Sequence, residues 1–236
     1  MPTCWEVTEM NSQSFNYTDF TRLKLERALH VDILKSEGYS LTVGDSLTRI
    51  KVEKSGDTLV VGRRGFDWIT PFHPRPHVVI TMPDLVELSL SGACQAKAVG
   101  FMSDHALTVR LGGASQIEID KMIAGSLKVT VSDASNLNGN ANIVDDFTLE
   151  LTGASRVNLT GSGKHGNIRI SGASQARLAN LALNSASLNL SGASNAQLKV
   201  DANLDIVLSG ASRLEYSGSP VIGKVSVSGA SSLKHR

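Results

Sequence analysis

Aliphatic residues recur at every second position in short runs along most of this chain, and clusters of small residues separate the runs. In the second half the runs share one frame. Leu88 and Leu90, Val109 and Leu111, Val129 and Val131, and Leu149 and Leu151 stand four and two residues before the second residue of a small-residue motif. Ile168 and Ile170, Leu188 and Leu190, Ile206 and Leu208, and Val225 and Val227 continue the series, with mostly polar residues between them. Period-two alternation of this kind predicts a strand with one face buried. A second short alternation follows the motif, as in Ile117 and Ile119, Val157 and Leu159, or Leu214 and Tyr216.

The motif is Ser-Gly-Ala-Ser or a close variant. Its second residues are Gly92, Gly113, Asp133, Gly153, Gly172, Gly192, Gly210 and Gly229, at successive spacings of 21, 20, 20, 19, 20, 18 and 19. A nearly fixed period of about twenty residues marks a solenoid. Two short strands and a loop are too little to close a core alone, so the units must stack in parallel and bury their aliphatic columns together. The prediction is an all-β chain folded as a parallel β-helix, right-handed by the preference of parallel connections. The L-x-x-L-x-L-x-x-N spacing of leucine-rich repeats, which have a similar period, is absent. A glycine fixed between two alternations predicts a sharp corner with positive φ, and Asp133 is among the residue types that best tolerate that conformation. Cys94 replaces the final Ser in the first copy of the motif, a near-isosteric change.

The N-terminal part lacks the motif. Residues 1–18 read as a polar tail, and 19–236 as one β-helix domain in which 19–82 supply N-terminal strands and 83–236 the regular coils. Alternation at Leu23 and Leu25, Val31 and Ile33, Leu41 and Val43, and Ile50 and Val52 predicts strands, with a hairpin turn at Ser55-Gly56-Asp57. These strands are expected to form the starting coils or a cap over them. The stretch 63–77 differs in kind, with three prolines, two histidines, three aromatic residues and three arginines. A long irregular segment inside a compact domain is usually functional or mobile.

The Ser-Gly-Ala-Ser array, preceded by Ile80-Thr81-Met82-Pro83-Asp84-Leu85-Val86-Glu87-Leu88, resembles the "putative auto-transporter adhesin, head GIN domain" family. Phe20-Thr21-Arg22-Leu23-Lys24-Leu25 and Lys54-Ser55-Gly56-Asp57-Thr58-Leu59 resemble that family's opening, so the likeness runs from about Asp19 to Arg236. It implies an exported protein of the cell envelope or extracellular space.

Charge narrows the partners. With 23 Lys and Arg against 22 Asp and Glu, the chain has no basic excess of the kind nucleic acid favours. No apolar run approaches the ~20 residues of a membrane-spanning helix. Cys4 and Cys94 give no disulfide framework, and Met1 to Trp5 lack the basic start and apolar core of a signal peptide.

Candidate chemistry centres on the irregular stretch. His73 and His77 are four apart, but Pro74 and Pro76 exclude the helix that would align them, no Cys is near, and Asp67 is the one carboxylate nearby, too few for a coordination set. The reading assigns no metal and no cofactor. Arg63, Arg64, Phe66, Trp68, Phe72, His73, Arg75 and His77 are instead candidate ligand contacts, since aromatic rings beside arginine serve sugar-binding surfaces and protein interfaces. The same rings could plug the coil. For catalysis, Asp145 and Asp146 are expected about three coils from Asp201 and Asp205, roughly 14 Å at ~4.8 Å per coil. Paired carboxylates in glycosidases need about 5–9.5 Å. No catalytic residue is assigned. The reading is thus a non-enzymatic, adhesin-like scaffold for a glycan or cell-surface protein; the alternatives are a polysaccharide lyase or hydrolase, and an end-to-end assembly module. Lys234, His235 and Arg236 at the final coil predict a monomer or a weak, salt-promoted end-to-end dimer.

Overall fold

A computed structural model describes residues 13–44, 50–64 and 75–236. Among them every regular element is a β-strand, and the chain winds as a parallel β-solenoid of about 7 turns with coils of ~20 residues. The N-terminal elements are β1 (Gln13–Phe15), β2 (Arg22–Glu26), β3 (His30–Lys35), β4 (Ser40–Gly44), β5 (Ile50–Ser55), β6 (Thr58–Arg63) and β7 (His77–Met82). The regular coils begin with β8 (Glu87–Ser91), β9 (Gln95–Val99), β10 (Ala106–Leu111), β11 (Gln116–Ala124), β12 (Ser126–Val131), β13 (Asn136–Ile143) and β14 (Asp146–Leu151). They continue through β15 (Arg156–Ile170), β16 (Gln175–Leu190), β17 (Asn195–Leu208), β18 (Arg213–Ser217), β19 (Val221–Val227) and β20 (Ser232–His235).

Parallel pairing stacks the segment before each motif on its counterpart one coil away, from β8 through β10, β12 and β14 to the later halves of β15, β16 and β17 and on to β19. The segments after the motif form a second ladder, from β9 through β11 and β13 to β15, β16, β17, β18 and β20. Because the register holds alternate residues in line, Val109, Val129, Leu149, Ile168, Leu188 and Ile206 form one buried column, each at most 2% exposed.

The corner between the two ladders follows from the motif. Gly92, Gly113, Asp133, Gly153, Gly172, Gly192, Gly210 and Gly229 have φ from 63° to 76°. The amide of the next residue donates to the corner carbonyl one coil back, as in Ala154 N to Asp133 O at 2.7 Å and Ala193 N to Gly172 O at 2.9 Å. Asp133 adds a bond that no glycine could make: its carboxylate accepts from Gly113 N at 2.7 Å. The motif alanine faces solvent and the final serine faces inward, with Ser115, Ser135, Ser155, Ser174, Ser194 and Ser212 at 1–2% exposure. A buried hydroxyl needs a partner, and Ser155 Oγ donates to Thr152 O at 2.8 Å. Cys94 takes the same inward place, its Sγ 3.1 Å from Ser91 O; burial pushes its thiol pKa up.

At the N-terminus the spatial order departs from the chain order. β2 lies between β6 and β8, and β3 between β7 and β9. The coil β2–β3 is therefore enclosed by a coil, β6–β7, that comes later in sequence. Its own turn at Arg27 and Ala28 has φ of 66° and 56° and stacks on the first motif through Ala28 N to Gly92 O at 2.7 Å. Antiparallel strands finish this end: β4 on β7, β1 on β4, and β5 in a hairpin with β6. The N-terminal strands thus supply both starting coils and a cap.

Candidate functional site

Outward residues of the second ladder make two unbroken polar columns. In one, His77, His30, Gln95, Gln116, Asn136, Arg156, Gln175, Asn195, Arg213 and Ser232 are successive register partners. In the other, Asp32 is followed by Lys97, Glu118, Asn138, Asn158, Arg177, Gln197, Glu215 and Lys234. Between them runs a buried column including Ala96, Ile117, Leu137, Val157, Ala176 and Leu214. Alternation around those aliphatic positions points the polar groups outward, two residues apart on each strand.

Eight of these groups are carboxamides, so each can donate and accept along the columns. Arg156 Nε donates to Gln175 Oε1 at 3.1 Å, and Gln197 Nε2 to Glu215 Oε2 at 3.4 Å. Lys97 Nζ lies 3.0 Å from Glu118, whose hydrogen bond holds the ammonium pKa above its ordinary value. Near β9 and β11 the face is concave. A groove of about 310 Å³ there is lined by His30, Asp32, Gln95, Lys97, Gln116, Glu118 and Asn138, with Ala96 and Ile117 at its floor. In the middle coils the charge is positive: neither Arg156 nor Arg177 has a carboxylate within ion-pair distance among the described residues.

The stretch 63–77 occupies a particular place in this topology. It joins β6 of the first ladder to β7 of the second, the connection that Ser-Gly-Ala-Ser makes in every regular coil. Phe66, Trp68, Phe72 and His73 lie outside the described residues. Arg63 is only 6% exposed, which leaves its guanidinium little surface for a ligand, and its carbonyl accepts from Arg27 Nη1 at 2.9 Å. Arg64 and Arg75 are exposed. His77 opens β7 with its Nε2 2.8 Å from Asp32 Oδ2 and its ring 5.1 Å from that of His30. Sequence reading compared His77 only with His73, four residues away; the partners it meets are 47 and 45 residues away on a neighbouring coil. No local spacing reports such a meeting, although His30 and Asp32 two apart in a strand show that they share a face.

The acids considered for catalysis stay apart. Asp146 lies in β14, and Asp205 in β17, three parallel pairings away. Asp205 Oδ1 is engaged by Lys224 N at 2.7 Å.

These features define a class: a parallel β-solenoid with a filled interior and polar outer faces. The family described as "Putative auto-transporter adhesin, head GIN domain" matches residues 19–220, and the chain belongs to it. Solved structures share the fold at low identity. A protein titled a putative adhesin from Parabacteroides distasonis aligns with TM-score 0.83 and 16% identity over 97% of both chains. Another so titled, from Parabacteroides merdae, gives 0.79 and 16% over 98% of this chain and 97% of that one. One titled a putative lipid binding protein from Parabacteroides distasonis gives 0.73 and 13% over 98% of both. No curated protein matches the chain.

Proposed function

We propose that this chain is a non-enzymatic, exported scaffold of the adhesin type that binds an extended glycan along the polar columns of its second ladder. The observation that carries the reading is the continuity of those columns over the coils, with amides at most steps. Coils recur every ~4.8 Å, a step close to the length of one pyranose residue in an extended chain, so successive sugars can meet equivalent amides. Arg156 and Arg177 favour acidic sugars in the middle coils. The 63–77 stretch ends at His77, the first residue of β7 in the same ladder, and its sequence offers Trp68 and Phe72 as stacking surfaces for sugar rings. Wide separation of the acids argues against a lyase or hydrolase.

Calorimetry with polygalacturonate and a neutral glucan checks this. The acidic chain should bind, and the combined Arg156→Ala, Arg177→Ala and Gln197→Ala variant should lose at least about tenfold, equivalent to about 1.4 kcal/mol. Trp68→Ala with Phe72→Ala should weaken both saccharides at an unchanged melting temperature. Binding that survives the triple change removes the columns as the site, and a melting collapse of the Trp68/Phe72 variant makes those rings core plugs.

A second reading, end-to-end association, has its own observation. Ile222, Val225, Val227 and Leu233 of the last coil are 37–47% exposed, because no further coil of the described residues covers them.

A further inference from the structure

We propose that His30, Asp32 and His77 form a binding site for a divalent first-row transition ion, with zinc as the best fit. One potential ligand atom from each of the three side chains lies within 4.8 Å of the others. His30 and His77 are directly paired in register on adjacent parallel strands, and Asp32 follows His30 by two residues, so all three project from one face. Strand pairing fixes their backbones, further held by His30 N to Pro76 O at 3.0 Å.

Ligand atoms bound to zinc at about 2.0–2.2 Å in tetrahedral array stand roughly 3.3 Å apart. His77 Nε2 and Asp32 Oδ2 are already 2.8 Å apart, so an ion would take the place of the proton they share. The remaining closure falls to the exposed His30 ring and needs side-chain rotation only. Two imidazoles and one carboxylate suit zinc, iron, nickel or copper, whereas calcium and magnesium require oxygen ligands. Lys97, which faces Asp32 from the next coil, would oppose a cation, but its ammonium is drawn to Glu118 at 3.0 Å. Three protein ligands leave a fourth position open, and because His30 and Asp32 also line the groove, that position borders it.

The bland alternative is a surface hydrogen bond between His77 and Asp32 with His30 beside it by chance. Calorimetry separates the two. The whole chain, stripped of metal with chelator, is titrated with zinc chloride in the absence of any saccharide, so the outcome is independent of the glycan reading. One ion should bind per chain at saturation, and calcium should give no heat. Loss of outer partners of a metal ligand costs about 10–100-fold in affinity, so His30→Ala, His77→Ala and Asp32→Asn should each cost at least that. His105→Ala, a histidine whose ring lies 3.4 Å from Asp104, should change nothing. Cobalt should give the visible absorption of a four- or five-coordinate site, lost in the same variants. Melting curves without metal verify folding, and His30→Gln with His77→Gln replaces any alanine variant that unfolds. Absence of saturable zinc uptake overturns the site, as does uptake unchanged in the His30/His77 double variant.

Discussion

At the scale of single residues the corner is the most demanding place in the chain. Gly192 has φ of 72°, and a Cβ built there would stand 2.7 Å from Gly172 O and 3.1 Å from its nitrogen. Backbone strain of about 1–3 kcal/mol for a side chain at positive φ is thus joined by a clash with main-chain atoms that cannot turn away. Gly192→Val should cost about 3 kcal/mol or more, read as a loss in the urea midpoint. Gly38 makes the control: nothing lies within 4 Å of its added Cβ and its φ is not positive. Gly38→Ala should be neutral or stabilise by a few tenths of a kcal/mol, through the unfolded chain. Equal stability of the Gly192→Val and parent proteins would remove the steric account of the corner. Asp133 departs from a simple tolerance argument, since its carboxylate bond to Gly113 N offsets part of the strain of its 63° φ.

At the scale of elements, the interior of each coil is fitted to its neighbours and not to a consensus. β15 has Gly163 and Gly166 where other coils offer side chains, and Leu183 of β16 fills the space. A Cβ on Gly166 would meet Leu183 Cδ1 at 2.7 Å, and one on Gly163 would meet Cδ2 at 2.9 Å. Leu183→Ala should cost about 2–5 kcal/mol as a cavity opens. Gly166→Ala should also destabilise alone but restore part of the loss when combined with Leu183→Ala, because the new methyl enters that cavity. A double-mutant cycle by chemical denaturation measures the coupling. Strict additivity would show that the contact is not shared.

At the scale of the whole molecule the two ends differ. Antiparallel strands β1 and β5 lie outermost at the N-terminal end and parallel strands β19 and β20 at the other, each paired on one side only among the described residues. Exposed strand edges invite pairing unless blunted. One of the positive charges expected to blunt the β20 edge is paired: Arg236 Nη2 is 2.6 Å from Glu215. Repulsion between two such ends is therefore smaller than the sequence implied. Sedimentation should show a weak dimer favoured by salt, and Val225→Lys with Val227→Lys should abolish it. A monomer at every salt concentration in the parent chain would rule out the end-to-end reading.

The coil architecture was legible in the sequence because a solenoid is quasi-one-dimensional. Each unit meets only its neighbours, so the aliphatic pairs before each corner and the small residues at it report the local contacts directly. The serine and alanine of the motif could not be oriented that way: both are small, and only the closed corner sends Ser155 inward to Thr152 O and Ala154 to solvent. The insertion of β2–β3 between β6–β7 and β8–β9 was also invisible, because hydrophobic alternation states that a strand has an inner face and not which strand lies beside it. The polar columns and the meeting of His77 with His30 and Asp32 are consequences of that stacking. They join residues far apart in sequence through register, a property that the tertiary structure alone decides.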